Sequence, residues 1–339
     1  MNLRARWNTY TEAHPRPRIR DAAQAMSVSE AELVAAGCGG DATRLRGPFP
    51  AIVNGLRSVG EVMALTRHQH AVHEVTGTYT PVKGSPHVGL VIGGPIDLRL
   101  FWGQWAHAYS VTTERHESIQ FFDAQGDAIH KVYRTADTDA AAWASLRAAH
   151  ADPGAEQPVV LPAPSPAADN DSVDRDTFLS DWAALQDTHE FFGMLRRHGV
   201  SRSQALTLAE GRFAHRLPSN AASRLLTAAA GRAVPIMVFV GNRGCIQIFS
   251  GTVSRIVPTG SWINVLDPGF NLHLRESGVT QAWLVRKPTA DGVVTSVELL
   301  DGRGSIVARF FGARKPGSPE LPAWRAMAEE IAVAACEAD

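Results

Sequence analysis

"SIQFFDAQGDAIHKVY" (118–133) and "SVELLDGRGSIVARFF" (296–311) are two versions of one pattern set 178 residues apart. In each, an alternating apolar run meets a polar turn built on Asp and Gly, and a second apolar run follows. Alternation at a period of two suits a strand with one buried face. The turns "DAQGD" and "DGRGS" between paired runs read as hairpin loops. Each stretch predicts an antiparallel hairpin, and their likeness predicts that the hairpin is built twice.

The correspondence extends outward. "IDLRLF" (96–101) aligns with "FNLHLR" (270–275), and "AYSV" (108–111) with "AWLV" (282–285), both at an offset of 174. Trp7 and His14 stand seven apart, as do Trp182 and His189, and each pair precedes a Val-Ser and a helical pattern, "VSEAELVAAG" or "VSRSQALTLAEG". Ser29 with Glu32 three residues on has the form of a capping box, and Gly37 the form of a helix stop. Each copy closes on another helical pattern, "AAWASLRAAH" or "PAWRAMAEEIAVAA". Helices followed by meandering strands predict an α+β fold with antiparallel sheets, made by tandem duplication of one unit. Between the copies, "DPGAEQPVVLPAPSPAADNDSVDRD" is rich in proline and small residues, as an extended linker is. The expected organisation is a first repeat over 1–150, a linker over 151–173 and a second repeat over 174–339.

A formal charge of -1 provides no global field for nucleic acid or an anionic membrane, so any anion site must be local. The first twenty residues are polar and no apolar run reaches the ~18 residues of a membrane span. A cytoplasmic protein without stable membrane insertion is expected. Cys38, Cys245 and Cys336 are widely spaced and lack a CxxC, which suggests reduced thiols.

The sequence lacks a GxxxxGK[ST] phosphate loop, a GxSxG elbow, HExxH, and GxGxxG after a strand. Such a chain either borrows its chemistry from a bound group or performs none. His68, His70 and His73 in "RHQHAVHE" have no carboxylate or cysteine at ligand spacing, and a polar strand or loop face is the expected reading. In "WAALQDTHEFFGML" (182–195), His189 falls in line with Phe178, Trp182, Leu185, Phe192 and Leu195 at helical spacing. In the first copy His14 is followed by proline, which pushes it out of helical geometry. The second copy has "EFFGML" there, which predicts a helix running unbroken through His189. A packed core histidine and an axial haem ligand both fit that pattern. Arg99 shares a strand face with Asp97 and Phe101 in "IDLRLF", either as a surface ion pair or as a donor over a ligand. Arg202, Phe239, Lys287, Phe311 and Arg314 combine aromatic rings with cations, which suits a flat apolar ligand bearing carboxylates as well as it suits ordinary surface charge.

"VMALTRHQHAVHEVTGTY", "IDLRLFWGQWAHAYSV", "QFFDAQGDAIHKVY", "DTHEFFGMLRRHGVSRSQAL", "FVGNRGCIQIFSG" and "FFGARKPG" together resemble the bacterial haemin-degrading factor family, of the HemS, ChuS, HmuS and PhuS type, over nearly the whole chain. The resemblance implies two similar halves, each a large antiparallel sheet flanked by helices, and binding of haem b. It implies His189 as the axial iron ligand in the second repeat and Arg99 as the distal, catalytic arginine. Phe101 and Phe239 then pack on the porphyrin, Arg202, Lys287 and Arg314 serve its propionates or line the cleft, and Phe311 joins the cofactor-binding set. The match departs at Arg309 in "ARFFGAR", where the family tends to carry a glutamine. Implied roles are haem trafficking, oxidative haem breakdown with an external reductant, or both, the alternative being a pure haem chaperone. A haem importer, a haem oxygenase or a reductase are the implied partners.

Overall fold

The structure is a computed structural model that describes residues 2–15, 17–154, 157–162, 169–315 and 317–336. Part of the expected linker, 155–156 and 163–168, lies outside the described residues, as does the side chain of Cys336. The chain divides into two compact units, one of Met1–Arg67, Glu74–Pro164 and Gly241–Gln247, the other of His68–His73, Ser165–Val240 and Ile248–Asp339. Helices flank two large antiparallel sheets.

The duplication is visible strand by strand. In the first unit, strands Asp41–Arg44, His107–Thr112, Glu117–Phe122, Ala128–Thr138 and Gly60–His68 lie side by side in that order, all antiparallel. The second unit repeats this with Ala214–Leu217, Gln281–Thr289, Gly292–Leu300, Ile306–Gly312 and Ile236–Gly241. A three-stranded meander accompanies each run: Lys83–Gly84, Val88–Val91 and Asp97–Phe101 in one, Ile256–Thr259, Trp262–Asp267 and Phe270–Arg275 in the other. Even the irregularities match, since the central hairpin slips register at Phe121/Phe122 and again at Leu299/Leu300.

The two hairpin turns show how the sequence dictates this. Asp123 accepts the backbone N–H groups of Gln125 and Asp127 on one carboxylate oxygen, at 2.9 Å each, and Asp301 does the same for Arg303 and Ser305. The glycine of each turn, Gly126 at φ +74° and Gly304 at φ +72°, takes a left-handed conformation that side chains disfavour. The Gly126 carbonyl also accepts from the Ala31 N–H, and a Cβ there would meet the Ser29 side chain at 2.4 Å. Ser29 heads helix Glu30–Ala35 through a complete capping box with Glu32. Gly126→Ala is therefore expected to destabilise the first unit by about 2 kcal/mol or more, the left-handed penalty plus the clash, read as a lower urea midpoint.

Side-chain alternation places the cores. Helices Arg175–Ala183, Glu190–His198 and Arg202–Leu208 press Phe178, Trp182, Phe191, Met194 and Leu195 onto Trp283, Val285 and Leu300 of the second unit's sheet. Helix Pro322–Cys336 buries Trp324, whose indole N–H donates to the Thr295 carbonyl at 3.0 Å. In the first unit, helix Glu30–Ala35 packs Ala31 and Val34 against Tyr109, Val111 and Phe122. Among the described residues no helix is long and apolar enough to cross a membrane. Cys38 and Cys245 are buried free thiols.

Burial keeps His130 and His73 neutral. His130 bonds Thr66 Oγ1 at 2.8 Å and Tyr79 Oη at 2.6 Å, and burial pushes it down to about 3. His73 is not on a polar face: it is fully buried, 5.0 Å from the Phe270 ring, and burial also takes it down to about 3. The unfolded chain protonates these rings near their ordinary value of 6.5, while the folded one does not until far lower pH. Stability therefore rises with pH from about 3 to 6.5 and is lost as pH falls through that range. By pH 5 each histidine is expected to have removed about 2 kcal/mol, so urea midpoints fall steeply from pH 7 to 5, with a shallower fall in His130→Gln.

Candidate functional site

The segment around His189 is not one helix. Helix Arg175–Ala183 stops, a turn follows, and His189 occupies the N-cap position of helix Glu190–His198. Short acidic side chains compete with the helical backbone here. Asp187 Oδ1 accepts His189 N–H at 2.8 Å, and Glu190 Oε2 accepts the N–H groups of Gln186 and Asp187 at 2.8 and 3.2 Å. The break resets the helical phase. Phe191, rather than Phe192, enters the core, with its ring 4.6 Å from Trp182, and Phe192 is 64% exposed. The His189 side chain is 90% exposed, so the packed-core reading is wrong for it.

His189 is nevertheless held. Its Nδ1 lies 2.6 Å from Asp187 Oδ1, an arrangement that keeps the proton on Nδ1 and turns the Nε2 lone pair outward, as a metal-binding imidazole requires. Hydrogen bonds from the His189 backbone N–H and then from its ring hold the Asp187 carboxyl below the usual carboxylate range. The Ala290 N–H donates to Gln186 O at 2.9 Å and fixes the neighbouring hairpin beside this turn. On that hairpin Asp291 accepts from Arg314 Nη2 at 3.0 Å, and the charge of Arg314 reaches Asp187. His14 differs, because it terminates helix Leu3–Ala13 with its ring stacked on Tyr10 at 4.3 Å.

A second feature of this unit is a carboxylate ringed by cations. Glu298 is fully buried on strand Gly292–Leu300. Its Oε1 accepts from Lys287 Nζ at 2.7 Å and Ser296 Oγ at 3.2 Å, and its Oε2 accepts from Arg202 Nη1 at 2.6 Å. Both cations also lie on the Phe191 ring, 4.9 Å (Arg202) and 4.7 Å (Lys287) from its centroid. Register sets Arg309 directly opposite Glu298 on one side and Phe239 on the other, with its guanidinium carbon 5.5 Å from the Phe239 centroid. Phe239 and Phe311 meet edge to face at 5.0 Å. Burial alone would raise the Glu298 carboxyl, yet Arg202, Lys287 and Arg309 hold it far below the usual range. Burial pushes Lys287 down to about 8 in spite of Glu298, and pushes Arg309 down to about 10 with help from Arg202.

Thus Arg202, Phe239, Lys287, Phe311, Arg314 and His189 all belong to the second unit, with Arg202 and Lys287 meeting at Glu298. Arg99 and Phe101 belong to the first. There Ile96, Leu98 and Leu100 are buried as the alternation predicts, and Arg99 pairs with Asp97 on the half-buried face. The Phe101 N–H donates to Gly244 O at 2.9 Å. Glu298 was missed from sequence. An acid on the inward face of an apolar strand was its signal, and the repeat places Gln120 at the same point of the first unit.

The first unit is a control for the cation cluster. Lys131 stands where Arg309 does, and Glu30 follows its capping serine as Arg202 follows Ser201. Glu30 and Lys131 form a buried ion pair, and Leu65 takes the place of Phe239 opposite the cation. A cavity of about 420 Å³ in the first unit, walled by Arg44, Arg46, Phe49 and Asp152, includes none of the predicted residues. Its charge is partly spent in the Arg46–Asp152 ion pair, at 2.9 Å.

Residues 27–150 and 199–331 each match the haemin-degrading HemS.ChuX domain. The chain belongs to this haemin-degrading family. Its family domain is present twice, in agreement with the repeated strand order. Hemin transport protein HmuS of Yersinia pestis is 43% identical over 324 residues, 94% of this chain and 93% of that protein. Holo-PhuS, a heme-binding protein from Pseudomonas aeruginosa, superposes with a TM-score of 0.92 at 44% identity, over 97% of both chains. ChuS, described as an E. coli heme oxygenase, superposes with a TM-score of 0.87 at 38% identity, over 98% of this chain and 99% of its own.

Proposed function

We propose that this member of the family binds haem b and serves haem utilisation in the cytoplasm, by passing haem on or by opening its ring to release iron. The observation that carries the reading is His189: exposed, its ring anchored through Nδ1 by Asp187, and with Nε2 open to an iron. The residues of the second unit fit such a ligand. Phe239 and Phe311 present aromatic surface to a porphyrin, and Arg202, Lys287 and Arg314, each held by a carboxylate, supply the positive charge that its propionates favour. Arg99 and Phe101 are assigned by family likeness, the guanidinium as a hydrogen-bond donor toward the bound ligand and the ring as an apolar contact. When haem is bound, its iron supplies any redox chemistry, and the protein's share is to hold, orient and shield it. A haem importer, a reductase and a haem oxygenase are the partners this role calls for.

Haemin titration of the purified protein is expected to give a Soret band characteristic of histidine ligation. A turnover assay with a physiological reductant, run with and without catalase, then separates the two roles. A tetrapyrrole product that persists with catalase establishes ring opening. Haem loss that vanishes when peroxide is scavenged leaves a haem chaperone.

A further inference from the structure

The cation cluster holds one guanidinium more than its carboxylate can serve. Both oxygens of Glu298 are taken, one by Lys287 and Ser296 and the other by Arg202. Arg309 forms no ion pair with it, and the Arg309 Nε is buried without an acceptor. Three cations therefore surround a single anion. Arg309 is half-buried, so its terminal nitrogens stay open to a ligand while its Nε lacks an acceptor, and the planar fork of donors matches a carboxylate. The first unit resolves the same position differently: Lys131, at the position of Arg309, has Glu30 as its own counter-ion. In the second unit the position of Glu30 is held by Arg202, so the same exchange that adds a cation also strips Arg309 of a partner.

We propose that Arg309 is a specificity-determining contact whose guanidinium takes a carboxylate of a ligand lying on Phe239 and Phe311, so that the site selects a porphyrin with free carboxylates over one whose carboxylates are capped. This rests on the haem reading above. The cation–π contact keeps the guanidinium over the Phe239 ring, its carbon 5.5 Å from the centroid, within reach of a carboxylate carried by a flat ligand on these aromatics. Arg202 and Lys287 are already engaged by Glu298, which leaves Arg309 with the largest share of unspent donors.

Haemin and haemin dimethyl ester, titrated by absorbance into the full chain and into Arg309→Gln and Arg309→Lys, test this. Arg309→Gln is expected to bind haemin at least tenfold more weakly and the ester within twofold of wild type, with Arg309→Lys recovering part of the loss. Without ligand, Arg309→Gln is expected to have an equal or higher urea midpoint, because an unpaired charge has been removed. Unchanged haemin affinity, or an equal loss for haemin and ester, overturns the proposal while leaving haem binding intact. A wild-type chain that gives no haemin complex overturns the haem reading itself.

Discussion

Glu298→Gln is expected to lower the unfolding free energy of the second unit by about 3–5 kcal/mol, the effect of removing one partner from a buried ion network. Among the described residues the carboxylate is the only anion in contact with Arg202 and Lys287, and it faces Arg309 across the strand. Glutamine keeps the shape and one acceptor but removes the charge, leaving one buried and two half-buried cations to repel one another. Urea denaturation at neutral pH measures the loss. Because the group is fully buried, added salt is expected to restore little of it. A loss below about 1 kcal/mol would mean that the cations are solvated, as in a surface pair, and that the charge argument for Arg309 fails with them.

His189→Ala is expected to weaken haemin binding by about two orders of magnitude, close to 2.7 kcal/mol, and to abolish the histidine-type Soret band. The side chain is 90% exposed and caps no backbone group with its ring, so stability should stay within about 0.5 kcal/mol of wild type. The loss can then be assigned to the ligand bond and not to misfolding. Asp187→Asn keeps the fold but exchanges the acceptor at Nδ1 for an amide, and about a tenfold weakening is expected. His14→Ala, at the matching place in the first copy, is expected to leave the titration unchanged. Haemin binding by His189→Ala at wild-type strength would place the iron ligand elsewhere.

Much of the architecture was legible because it rests on local rules repeated at a fixed offset. The Asp-Gly turns at 123–127 and 301–305, the serine caps at Ser29 and Ser201 and the alternation of Ile96, Leu98 and Leu100 each have a single physical solution. Finding each device twice turned a guess about one hairpin into a tandem α+β fold. The helix through His189 misled for a related reason. Apolar spacing continues across residues 182–195, but spacing does not record the carboxylates that stop the helix. Asp187 and Glu190 capture the backbone N–H groups of 186, 187 and 189, and the restarted helix turns Phe191 inward and Phe192 outward.

By itself the sequence determined the duplicated α+β fold, the family and the identity of His189 as the residue to test, since these follow from periodicity, turn chemistry and long motifs carried along the chain. Only the tertiary structure decided that His189 stands exposed on Asp187 and that Glu298 gathers Arg202 and Lys287. It also decided that Arg309 lacks the partner that Lys131 has in Glu30. The reason is range: caps and turns are settled by neighbours a few residues away, whereas Arg202 and Glu298 are 96 positions apart. Charge pairs at that distance acquire an energy only when strand register and burial bring them together in a medium that cannot screen them.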